Sequence, residues 1–332
     1  MIWFTEILTI FTDFDLSLKL LILIGLILIL TKFSGMAIKK FETVAQYNDH
    51  MGVDTLHPLV SMVDFNKIES IQHVRRYMGV YVVYLKDIKC GDLRYGCQSY
   101  DYEAGTLVFV APGQVYGFED EGGFTKPSGY GLVFHPDLIL GTPLGQQIKQ
   151  YTFFSYEVNE ALHLSKRERE AIVDCFEKVG KELEREIDQH SKTFIVSYIE
   201  MLLNLSKRFY DRQFITRNHV NSGLLSKFEF LMEEYLETQK AREEGLPSVR
   251  YFAERMNLSA NYFGDLVKQE TGKTAHEYIQ VKVIDHAKRM VLDFNRPISD
   301  IAYELGFKYP QHFTRLFKQQ VGQTPREFRQ LN

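Results

Sequence analysis

Gln311, His312 and Arg315 fall within one turn of a helical pattern, on the side opposite Phe313 and Phe317. Arg carries a forked donor that fits O6 and N7 of guanine, and Gln pairs in the same two-point way with adenine N6 and N7. Side chains of these types at this spacing suit the reading of base edges in a DNA major groove. Asn261 holds the place of Gln311 in an earlier copy of the same stretch and is a further adenine reader. Lys268 and Lys318, one in each copy, suit phosphate contacts, as do the helix starts at Ser259 and Ser299. Such contacts set register without carrying sequence information. The earlier copy is the poorer reader. Gly264 presents no side chain, and Asp265 cannot anchor on phosphate and at best accepts from a cytosine amine. Placed near phosphates, Asp265 would repel DNA, so the first copy is expected to read fewer bases than the second. Each of these residues could equally belong to a solvated helix face; the elements that carry them decide against that.

Those elements occur twice. Residues 261–278 and 311–328, laid over each other, share Phe263/Phe313, Leu266/Leu316, Lys268/Lys318, Gln269/Gln319, Gly272/Gly322, Thr274/Thr324 and Glu277/Glu327. Upstream, Val249, Ala253, Met256, Asn257 and Leu258 stand against Ile298, Ala302, Leu305, Gly306 and Phe307. Internal repetition of this kind reports architecture. Each copy reads as helix, tight turn, helix. In the second, a helix starts at Pro297 with Ser299 and Asp300 in its first turn, Gly306 makes the turn, and a helix over 310–320 ends at Gly322. In the first, Asn257 makes the turn, Ser259 is the N-cap and Gly272 the terminator. A helix over 275–294, with Ile279, Val283, Ala287, Met290 and Val291 inward, would hold the two units so that both second helices enter successive major grooves, about 34 Å apart.

Residues 297–307 (PISDIAYELGF), then His312, Phe313, Arg315, Phe317, Lys318, Gly322, Thr324, Pro325, Phe328 and Arg329, resemble the signature of the AraC/XylS family of bacterial transcription regulators. The resemblance covers about the last eighty-five residues. It implies a double helix-turn-helix domain joined to an N-terminal ligand-binding and dimerisation domain. It also implies that Gln311, His312 and Arg315 face bases. The chain departs from the family at Asp265, where an Arg is common.

The net charge of −4 is unevenly divided: residues 248–332 hold thirteen Lys/Arg against nine Asp/Glu, a net +4, which leaves −8 for the rest. Local distribution, not the total, decides groove binding. Cys90, Cys97 and Cys175 have no metal-ligand spacing and no disulfide framework, and read as small core residues of a reducing, cytoplasmic compartment. Residues 1–35 stand apart. The eleven apolar residues 20–30 are short of the roughly 20 that span a bilayer. Acidic Glu6, Asp13 and Asp15 make a poor signal peptide. Two readings stand: an upstream extension of a soluble chain that starts at Met36, which the family resemblance favours, or a membrane anchor over 16–33 of a tethered signalling regulator.

From residue 41 to 136 the pattern is β-rich: strands are expected over 77–85, 98–102, 106–110, 115–118 and 129–134, with turns at Gly91-Asp92, Ala104-Gly105 and Pro112-Gly113. Residues 102–113 resemble the strand-turn of the cupin-type barrel of many family members. Arg75, Arg76, Tyr81, Tyr84 and Tyr95 could line a polar pocket there, each being equally a surface charge or a barrel aromatic. Residues 165–214 turn helical, with stripes Ile172, Phe176, Val179, Leu183, Ile187 and Phe194, Tyr198, Met201, Leu202, Leu205, Phe209. The family holds a dimer contact here; packing on the barrel is the alternative. A first DNA-domain helix is expected over 224–237, followed by a charged linker, 238–245.

The expected fold is therefore α+β and multidomain: a hydrophobic leader (1–35), a cupin-like β-barrel (36–160), a helical dimerisation segment (161–216) and an all-α double helix-turn-helix domain (217–332). Cupin enzymes hold metal through a His-x-His pair; no two of His50, His57, His73, His135 and His163 have that spacing, and no nucleophile elbow, zinc-protease motif or phosphate loop occurs. Catalysis, a metal and a cofactor are not expected. The expected partners are double-stranded DNA, a second copy of the chain, RNA polymerase and a small-molecule effector.

Overall fold

The computed structural model describes residues 38–87, 105–117, 123–157, 160–238 and 240–331. The leader with its candidate anchor at 16–33, the strand expected over 98–102, and Tyr95, Cys90 and Cys97 lie outside the described residues. Among the described residues no helix is long and apolar enough to cross a membrane.

The N-terminal part runs β1 (Lys39–Phe41), α1 (Val44–Met51), β2 (Val60–Asp64), β3 (Ile71–Gln72), β4 (Arg75–Met78), β5 (Tyr81–Lys86), β6 (Thr106–Val110), β7 (Gln114–Gly117), β8 (Phe124–Thr125) and β9 (Gly129–Phe134). Two short helices, α2 (Pro136–Ile139) and α3 (Pro143–Gln147), and β10 (Leu162–His163) follow. The main sheet is antiparallel in the order β10-β6-β5-β9-β2. A second sheet has the order β1-β4-β7, with β1 parallel to β4, and β3 pairs with β8. Side chains alternate faces along a strand, and in β5 both faces are buried. Val82 and Tyr84 join Phe41, Tyr47 and Met78 in a core between the two larger sheets. Val83 and Leu85 join Leu107, Leu132 and Phe134 in the main core under the helices.

The run expected as one strand over 77–85 breaks at Gly79. Its N–H donates to the Phe41 carbonyl at 2.7 Å, and a Cβ there would sit 2.9 Å from the Glu42 Cα. The chain thus leaves one sheet at Met78 and enters the other at Tyr81. Among the described residues the sheets stay separate, and this domain is a mixed layered sheet structure rather than the closed barrel expected.

Ser165 and Glu168 form a capping box that starts α4 (Lys166–Leu183). Helices α5 (Ser191–Thr216) and α6 (Asn218–Glu237) follow, α6 beginning six residues before the expected start. Ile172, Phe176, Val179 and Leu183 are buried, as is the free thiol of Cys175, which burial pushes up to a pKa of about 11. On α5, Ile195, Ile199, Leu202 and Leu203 are fully buried. Leu202 therefore faces the core, not a partner. Phe194 and Met201 are about half exposed, and with Tyr198 and Leu205, which are partly buried against the main core, they make a second apolar stripe whose exposed part faces outward.

The expected linker contains a short helix, α7 (Lys240–Glu244). Helices α8 (Val249–Arg255), α9 (Ala260–Thr271), α10 (Ala275–Val291), α11 (Ile298–Glu304) and α12 (Pro310–Val321) follow, and α13 (Pro325–Leu331) is the last described helix. Gly306, at φ +87°, lets the second unit lie against α7: a Cβ there would be 2.5 Å from the Gly245 carbonyl carbon and 2.6 Å from the Ala241 oxygen. Gly322 has a similar φ of +84° but open space around it. Gly306→Ala is accordingly expected to destabilise by about 2–4 kcal/mol, and Gly322→Ala by about 1–2 kcal/mol, the left-handed backbone penalty alone. Urea midpoints of the two variants check this; equal losses would mean that the α7 contact yields freely.

Candidate nucleic-acid interface

The two units repeat each other in backbone detail. Leu258 N–H donates to the Ala253 carbonyl and Phe307 N–H to the Ala302 carbonyl, both at 2.9 Å, closing the same turn. Asn257, at φ +55°, is the described non-glycine residue with a left-handed backbone, matching Gly306 in the other copy. Gly272 and Gly322 end α9 and α12, their N–H groups bonded to the carbonyls of Lys268 and Lys318. The shared Thr and Glu are caps for the next helix: Thr274 Oγ1 accepts from Glu277 N–H and Thr324 Oγ1 from Glu327 N–H, each Glu accepting in return. Those bonds hold the Glu277 and Glu327 carboxyls below the usual range.

Buried Phe313 and Phe317 seat α12 on the domain core, and buried Phe263, Leu266 and Val267 seat α9. On α10, Ile279, Val283, Ile284, Ala287 and Val291 are buried and Met290 partly so. Gln311, His312, Arg315 and Lys318 face out on α12, as do Gln319 and Gln320. Arg315 makes no hydrogen bond or ion pair among the described residues, and with His312, Gln319, Lys308, His276 and Gln280 it borders a cleft of about 540 Å³ between α10 and the second unit. Ser299 is exposed in the first turn of α11.

The first unit differs. Asn261 and Lys268 are exposed on α9. Ser259 caps α9 through the Tyr262 N–H, but its own N–H and hydroxyl both donate to the Glu160 carboxylate at 2.6 Å. The Asp265 carboxylate accepts from Thr152 Oγ1 and from the Tyr156 hydroxyl, each at 2.6 Å. These partners lie about a hundred residues upstream, and no local pattern announces them. Of the pocket candidates, Tyr95 lies outside the described residues, and Arg76 and Tyr81 lie in different cores. Arg76 is buried beside Tyr84 in the core between sheets, bonded to the Gln72 carbonyl, whereas Tyr81 stacks on Phe134 in the main core. Among the described residues no group of three His, Cys, Asp or Glu is placed to hold a metal.

Residues 252–331 match the profile of a helix-turn-helix domain. The C-terminal domain is a helix-turn-helix domain of the AraC type. Similar chains include YesN of Bacillus subtilis, an uncharacterized transcriptional regulatory protein, 39% identical over 74 residues that make up 22% of this chain and 20% of that protein. The melibiose operon regulatory protein of Escherichia coli is 26% identical over 117 residues, 35% of this chain and 38% of its own. The transcriptional activator RhaS of Escherichia coli is 29% identical over 135 residues, 41% and 45% respectively. The chain thus spans less than half the length of each of these relatives. In this AraC-type domain Asn261 and Lys268 stand outward on α9, and Gln311, His312, Arg315 and Lys318 on α12, both helices being held by apolar residues turned inward.

Proposed function

We propose that the chain is a sequence-specific DNA-binding transcription regulator, with its AraC-type domain as the reading head. The observation that carries this is the face of α12. Arg315, Gln311 and His312 point out together on a helix fixed by buried phenylalanines, with the residue types that fit base edges. Asn261 is the base reader of the first unit. Lys268, Lys318, Ser299 and, when released from Glu160, Ser259 contact phosphate. Domain limits near residues 36, 161 and 217 follow from this division of labour.

Regulation enters through the N-terminal sheet domain, which binds a small effector, and through dimerisation on the outward stripe of α5 formed by Phe194, Tyr198, Met201 and Leu205. RNA polymerase is the further partner such a protein addresses. Selection of duplexes from a random-sequence pool by the full chain tests the function. A recurring motif, bound at least a thousandfold more tightly than random duplex at physiological salt, is expected, within the span of ~10³–10⁷ typical of specific binders. Recovery of random sequence alone would overturn the proposal.

A further inference from the structure

The contact between the N-terminal domain and α9 covers the part of the first unit that DNA would use. Glu160 is almost wholly buried, and its carboxylate accepts three hydrogen bonds: from the Ser259 N–H, from the Ser259 hydroxyl and from the Glu157 N–H at 2.7 Å. Burial pushes its pKa up. Two of its three donors thus come from the N-cap of α9. The start of a helix, with free N–H groups and the positive end of the dipole, is where a phosphate oxygen binds. Here a carboxylate of the same chain already occupies that place.

One turn further along, Thr152 and Tyr156 hold Asp265. Burial and the Asp265 carboxylate push the Tyr156 hydroxyl far above the ordinary tyrosine range, so it stays a donor. Tyr262 is buried between the rings of Tyr156 and Phe214, with centroids at 5.2 and 5.1 Å. At 100° per residue, Asp265 lies within about 60° of both Asn261 and Lys268 round the helix. The clamp therefore grips the edge of the face that would turn to bases. A helix with its side chains is about 10–12 Å across, and the major groove about 12 Å wide. No second protein segment fits in the groove beside α9.

We propose that Thr152, Tyr156 and Glu160 compete with DNA for the first recognition helix: Glu160 on Ser259, with Thr152 and Tyr156 on Asp265, holds α9 closed, and DNA reaches both units only when this clamp opens. The inference rests on the DNA-binding reading. It also gives Asp265 a use. An acid that would repel phosphate in an open helix is, in the closed form, the acceptor that fastens it.

If the closed form predominates tenfold, apparent affinity falls about tenfold, because only the open fraction binds with both units. The test uses full-length Glu160→Gln, Tyr156→Phe and Thr152→Val/Tyr156→Phe chains, whose changes lie outside the reading head and nearly preserve shape. Each is titrated with the duplex that the wild type selects from a random pool. About tenfold tighter binding is expected, with a steeper salt dependence as the α9 start gains a phosphate. Hydrogen exchange of the wild type gives a second readout: amides of residues 152–157, 160 and 259–265 should be protected in the free chain, and those of 152–157 and 160 should lose protection when the duplex is added.

Affinities within twofold of wild type in variants that melt normally would overturn the clamp and leave DNA binding standing. So would undiminished protection of 152–157 and 160 in the complex, a readout that needs no variant to fold. Failure of the wild type to select any sequence would overturn both.

Discussion

A Leu202→Glu chain is expected to lose its folded N-terminal domain, whereas Met201→Glu folds as the wild type does and sediments as a monomer. The two residues are neighbours, 100° apart round α5. Leu202 is fully buried among the helices that cover the main sheet, and Met201 is about half exposed. A carboxylate at 202 would have to be buried without a partner, at about 4 kcal/mol or more, against a total stability of roughly 5–15 kcal/mol. At 201 the same carboxylate stays in water in the monomer and is buried only where a second copy covers the stripe. Thermal melts followed by circular dichroism separate the two effects on folding, and sedimentation velocity reads the assembly. A Met201→Glu chain that sediments as a dimer would show that the outward stripe is not the contact, and so would a monomeric wild type.

The reading head was legible from sequence because its signals are local. The left-handed positions Asn257, Gly272, Gly306 and Gly322 and the Thr–Glu caps act within one turn of chain, and the repeat prints each of them twice. The α5 stripe was half legible. Apolar residues recur on two faces of that helix, so spacing alone could not say whether Leu202 or Met201 faces the core. The β domain was less legible, because strand pairing is non-local. Strand β1 runs beside β4, with Lys39 opposite Arg76, and a single glycine at 79 divides one apolar run between two sheets. The partners of Asp265 were not legible for the same reason: Thr152 and Tyr156 are 113 and 109 residues away.

Arg315→Ala is expected to weaken binding to the selected duplex by roughly ten- to a hundredfold, the equivalent of about 1–3 kcal/mol for one bidentate pair, and to relax preference at one base pair. Folding should be untouched, since Arg315 is exposed and makes no hydrogen bond or ion pair among the described residues. Lys318→Ala should behave differently. A phosphate contact is blind to sequence, so affinity falls alike on selected and random duplex, and the salt slope drops by about one. Arg315→Lys separates charge from shape. Lysine keeps the positive charge but loses the rigid fork that meets guanine O6 and N7 together. Non-specific affinity and salt slope should therefore stay near wild type while discrimination at the one base pair falls. Competition binding with duplexes altered singly at each position reads this directly. Full discrimination retained by Arg315→Lys would mean that residue 315 meets the backbone, and that the second recognition helix reads through Gln311 and His312 instead.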